Sequence, residues 1–82
     1  MRYPVIDLKA TGRRIEELRK ERHLKVEDVA TFMGFESVQA VYKWQRGASL
    51  PSLDNMYALS VLFNTSIESI LKRKELPNVD KS

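Results

Sequence analysis

Apolar residues recur along this chain at three- and four-residue spacing in short segments, a pattern that predicts an all-α fold of five helices and no sheet. The first segment, residues 7–22, is charged around most of its circumference and keeps a narrow apolar stripe through Leu8, Ile15 and Leu18. Asp7 or Thr11 could cap it, and Gly12 argues against the earlier start. A second helix is expected over 26–33, where Val26, Val29, Ala30 and Met33 share a face, Glu27 and Asp28 suit the positive helix end, and Gly34 stops it. The third runs over 37–46 with Ser37 as its cap and Gly47 as a left-handed terminator. After Leu50-Pro51, Ser52 caps a fourth helix over 52–63, with Leu53, Met56, Leu59, Leu62 and Phe63 apolar; a short fifth covers 66–71. The expected core comprises Ile15, Leu18, Leu24, Val29, Ala30, Met33, Val41, Trp44, Leu50, Leu53, Leu59, Leu62, Ile67 and Ile70.

Composition narrows the class. A chain of 82 residues allows one core. Three glycines and three prolines leave few breakers, in keeping with long regular elements. The absence of cysteine excludes disulfides, thiolate metal sites and a thiol nucleophile, and no stretch has the length and apolarity of a signal core or a membrane span. A cytoplasmic protein is expected. Its organisation reads as an N-terminal arm and helix start over 1–9, a helical domain over 10–71, and a charged flexible tail over 72–82.

The net charge of +3 permits a polyanionic partner without requiring one. Its distribution says more: from Ser37 to Leu53 no acidic residue occurs, while Lys43 and Arg46 stand among Gln39, Gln45, Ser49 and Ser52. Two short helices joined by a turn containing glycine, the second basic on one face, have the sequence form of a helix-turn-helix. The usual spacing puts a small residue four before the turn glycine, where Ala30 stands. It also puts buried apolar residues six and nine after that glycine, but these places hold Ala40 and Lys43, and burying an unpaired lysine is prohibitive. Shifting by one gives the pair Val41 and Trp44, so the turn Gly34-Phe35-Glu36-Ser37 carries an extra residue. With Val41 and Trp44 inward, Gln39, Lys43 and Arg46 point outward, Tyr42 lies to one side and Val38 near the boundary. Trp44, paired with Val41, reads as a core anchor and not as a stacking residue.

The segments IEELRKERHL, VEDVATFMGF, AVYKWQRGASLPSLDNMYALSVLF and TSIESIL resemble the phage repressor/Cro-type helix-turn-helix family of bacterial transcriptional regulators. The K-W-x-R-G followed by P-S-L is the most specific part, and the likeness covers residues 10–71. It implies a compact five-helix repressor-like domain that binds double-stranded DNA in a sequence-specific way, its third helix in the major groove. Counted back from Gly47, the matching base-reading positions are Val38, Gln39 and Lys43, with Ala40 and Tyr42 as additional contacts. Gln39 suits adenine, Lys43 guanine and Val38 a thymine methyl. Arg46, Ala48 and Ser49 in the following turn, with Ser37, Lys25, Arg13 and Arg14, are the candidates for the DNA backbone. The family pattern also implies a symmetric homodimer on two half-sites, through the fourth and fifth helices or the arm at Tyr3-Pro4-Val5-Ile6.

The chain departs from that pattern in three places. Lys25-Val26 stands where Ser/Thr-Gln often begins the second helix, so a glutamine-phosphate contact is replaced by a flexible cation. His23 replaces a glycine at the end of the first helix. Arg19 and Gln45 occupy the places of a frequent arginine-glutamate pair. With one histidine, no cysteine and no phosphate-binding loop, no catalytic constellation assembles; no cofactor, metal or small-molecule effector is expected. The rival reading is a protein-binding adaptor or antitoxin on the same fold, using the Val5-Ile6 arm and the fifth helix.

Overall fold

The computed structural model describes residues 3–75. Five helices follow in order: α1 (Leu8–Glu21), α2 (Val26–Met33), α3 (Gln39–Gln45), α4 (Leu53–Leu62) and α5 (Ile67–Ile70). No helix among the described residues is long and apolar enough to cross a membrane.

The choice of cap left open at the first helix falls to Asp7, whose carboxylate accepts the Ala10 N–H at 3.0 Å. Thr11 is buried instead. Ser52 caps α4 as expected, and Ser66 caps α5. Four residues in the left-handed region end helices or begin turns: His23 (φ 57°), Gly34 (78°), Gly47 (78°) and Asn64 (53°). After Gly34 the Phe35 N–H returns to the Ala30 carbonyl at 2.9 Å, and after Gly47 the Ala48 N–H returns to that of Lys43 at 2.9 Å.

Three expectations need correction. Ser37 does not cap α3: Val38 occupies that position, and the Ser37 hydroxyl accepts a long 3.4 Å bond from the Gln39 N–H within the turn. The helix therefore begins two residues late, because the extra turn residue must be accommodated before helical geometry starts. Leu53 and Leu50 are exposed, not core. On α4 the inward stripe is Met56, Leu59 and Phe63, spaced by three and four residues, which turns Leu53 outward. Val26, Met56 and Phe63 join Ile15, Leu18, Val29, Ala30, Val41, Trp44, Leu59 and Ile70 in the buried core, with Leu24, Met33, Leu62 and Ile67 packed around it.

The segment after α5 is tied down where a free tail was expected. The Asp7 N–H donates to the Lys72 carbonyl and the Lys74 N–H to the Val5 carbonyl, each at 2.8 Å, around a single antiparallel bridge between Ile6 and Arg73. Thr11 locks the pairing, since its hydroxyl oxygen accepts the Lys72 N–H at 2.9 Å and its O–H donates to the Lys72 carbonyl at 3.3 Å. The remainder of the expected tail, 76–82, lies outside the described residues.

Candidate nucleic-acid interface

The third helix is two-sided. Val41 and Trp44 are buried, and the Trp44 ring meets Phe35 edge-on at 5.7 Å between centroids. On the opposite side Gln39, Tyr42, Lys43 and Arg46 line one open cleft. Their spacing of three, four and seven residues makes a continuous stripe that offers an amide, a phenol and two cations. Val38 and Ala40 are half-buried against the core, so each presents only part of its surface outward.

Two features of α1 fix the direction of this stripe. Gly12 lies where α1 crosses the end of α3, and a Cβ there would stand 2.5 Å from the Gln45 carbonyl oxygen and closer still to that of Trp44. Only glycine admits this approach. Seven residues on, the Arg19 Nε donates to the Gln45 Oε1 at 2.9 Å while its Nη1 donates to the Leu24 carbonyl at 2.8 Å. One guanidinium thus ties α1, the turn after it and the end of α3 together. The neutral glutamine still completes the link inferred from the family pattern.

The expected backbone contacts divide. Arg46 stands in the cleft, and it also borders Glu16, Tyr42 and Gln45. Ala48 is exposed and Ser49 half-buried in the turn beyond. Ser37 and Lys25 are exposed at the starts of α3 and α2. At Lys25 it is the backbone that is engaged, its N–H donating to the Asp28 carboxylate at 2.8 Å, which leaves the ammonium out of the cap. Arg13 and Arg14 line a different cleft, shared with Asp7, Glu17, Lys72, Arg73 and Glu75. Arg14 is committed there: its Nε donates to the Ser69 carbonyl at 3.2 Å and its Nη1 meets Glu17 at 3.4 Å.

Sequence reasoning missed Lys9. A Cβ on Gly47 would sit 2.7 Å from the Lys9 Cγ, so the lysine stem lies on the turn that follows α3. Nothing local in the sequence marks this, because the contact exists only once α1 has crossed α3.

Similar architectures occur among solved structures. The restriction-modification controller protein C.AhdI from Aeromonas hydrophila is 28% identical, with a TM-score of 0.70 over 78% of this chain and 96% of that one. The DNA-binding domain of S. venezulae BldD is 15% identical, with a TM-score of 0.68 over 80% and 97% of the two chains. FeII HppE is 16% identical, with a TM-score of 0.72, but the match covers 89% of this chain and only 40% of that one. Both of these show the fold alone. No curated protein matches the chain in sequence. A family model for the helix-turn-helix matches residues 15–70, from the middle of α1 to the end of α5, and the chain belongs to that family, HTH_3.

Proposed function

We propose that this protein is a sequence-specific double-stranded DNA-binding transcriptional regulator. It acts as a cytoplasmic repressor, as a homodimer on DNA, without catalytic activity, cofactor, metal or small-molecule effector. The observation that carries this reading is the two-sidedness of α3: a buried apolar face holds the helix against α1 and α2, while Gln39, Tyr42, Lys43 and Arg46 stand free on the other side. An amide and an ammonium four residues apart, about 6 Å along the helix, can reach neighbouring base pairs in the major groove. Repression is the simplest consequence, since an occupied duplex excludes other proteins. The controller protein C.AhdI and the DNA-binding domain of BldD share the fold and support this reading.

Titration of a non-specific duplex at rising salt tests it. Affinity should fall steeply with ionic strength, and Arg46→Ala should lower the slope of log K against log salt by about one unit. Arg14→Ala should leave the slope unchanged, because that guanidinium is already engaged with Ser69 and Glu17. A protein-binding adaptor would give no salt-sensitive DNA signal. The homodimer is tested by sedimentation at saturation, where one monomer per two-half-site duplex would contradict it.

A further inference from the structure

The first turn of α1 is weak in its own right and is held from two sides. It contains no acidic residue, places the Lys9 cation at the positive end of the helix, and runs into Gly12, the poorest helix former short of proline. Its local hold is the Asp7 cap on the Ala10 N–H. On one side it is clasped by the segment after α5. The Asp7 N–H donates to the Lys72 carbonyl, the Lys74 N–H donates to the Val5 carbonyl, and the hydroxyl of the fully buried Thr11 bonds both the N–H and the carbonyl of Lys72. On the other side it lies against the end of α3, with Gly12 at the Trp44 and Gln45 carbonyls and the Lys9 backbone and stem at Gly47. Along residues 7–12, Asp7 and Thr11 thus meet the clasp while Lys9 and Gly12 meet α3, each pair at helical spacing.

We propose that Thr11 is a positioning residue for DNA reading: its clasp on Lys72 keeps the first turn of α1 wound, and the wound turn braces the loop that leaves α3. The segment after α5 and the DNA face of α3 are thereby coupled, through a helix that packs on both α3 and α5. The element between them has two states. With the clasp shut, the turn is helical and Lys9 seats on Gly47. With the clasp open, the turn depends on the Asp7 cap and frays, as weakly held helix ends do first. Fraying withdraws Lys9 from Gly47, and Arg46, Ala48 and Ser49 lose the support behind them. The two Thr11 bonds run to one residue's backbone, so they form or part together and the clasp is either shut or open. A duplex that binds the α3 loop in its braced form favours the shut clasp, and by linkage the shut clasp favours the duplex by the same factor. The inference rests on the DNA-binding reading for the identity of this ligand alone.

Thr11→Val keeps the shape of the side chain and removes its hydroxyl. In the free protein, hydrogen exchange at the Gly47 and Ala48 amides, which donate to the Trp44 and Lys43 carbonyls, should quicken relative to exchange at the core amide of Val29, together with that at Asp7 and Lys74. On a duplex recovered by selection from a random library, the variant should bind about ten-fold more weakly than wild type with an unchanged circular dichroism spectrum, and Thr11→Ser should restore the affinity. Asp7→Ala frays the same turn from its cap and should repeat both effects. Asp7→Asn carries the same change of charge but keeps the cap, and should produce neither, so the coupling is decided even if Thr11→Val fails to fold. In wild type the duplex should slow exchange at Lys72 and Lys74. Wild-type relative exchange at Gly47 and Ala48, or wild-type affinity, in a folded Thr11→Val or Asp7→Ala would overturn the coupling and leave the DNA-binding reading intact. If no duplex is recovered, that reading fails, and exchange at Gly47 and Ala48 decides the coupling by itself.

Discussion

Trp44→Ala is expected to destabilise the domain by about 3–5 kcal/mol. The indole is 4% exposed, meets Phe35 edge-on and anchors the inner face of a helix only seven residues long. Isolated helices of that length do not persist in water, so α3 exists because Trp44 and Val41 are buried. Total stability for a domain of this size is on the order of 4–12 kcal/mol, and the variant should be largely unfolded by urea concentrations that leave wild type intact. A mutant melting within a degree or two of wild type would show that Trp44 is not the anchor.

Gly12→Ala should also destabilise, against the sign of helix propensity. Replacing a glycine inside an exposed helix by alanine gains about 1 kcal/mol. Here the new methyl would overlap the backbone carbonyls of Trp44 and Gln45, which cannot rotate aside as a side chain would. The α1 and α3 axes must separate, and overpacking of this kind costs about 1–3 kcal/mol or more. The net loss should be up to about 2 kcal/mol, read from a lowered urea midpoint. DNA affinity should fall as well, since the Arg19 link to Gln45 is stretched by the same movement. A variant more stable than wild type would mean that the helices do not cross at Gly12.

These two residues also show what was legible in the chain. Val41 and Trp44 identify themselves because α3 has strong polar contrast: with the pair inward, Gln39, Lys43 and Arg46 must point out, and they do. Helix α4 has no such contrast, so its periodicity does not say which apolar stripe faces the core, and Leu53 was placed inside while Met56 and Phe63 were left out of the expected core. Gly12 was read by its local cost to a helix, whereas its role is set by a residue more than thirty positions away. The pairing of Ile6 with Arg73 and the seating of Lys9 on Gly47 are likewise tertiary events with no local signature. Caps and terminators depend on immediate neighbours, and Ser52, Gly34 and Gly47 were readable for that reason.

The central claim is that α3 reads base sequence, and the most direct measurement is selection of bound duplexes from a random library by wild type, Gln39→Ala and Lys43→Ala, with folding checked by circular dichroism. Wild type should recover a defined sequence. Each variant should lose about 1–3 kcal/mol on that sequence and relax preference at one or two positions, while Arg46→Ala weakens all sequences alike. If Gln39→Ala and Lys43→Ala recover the same sequence as wild type with unchanged affinity, the exposed face of α3 is not the reader.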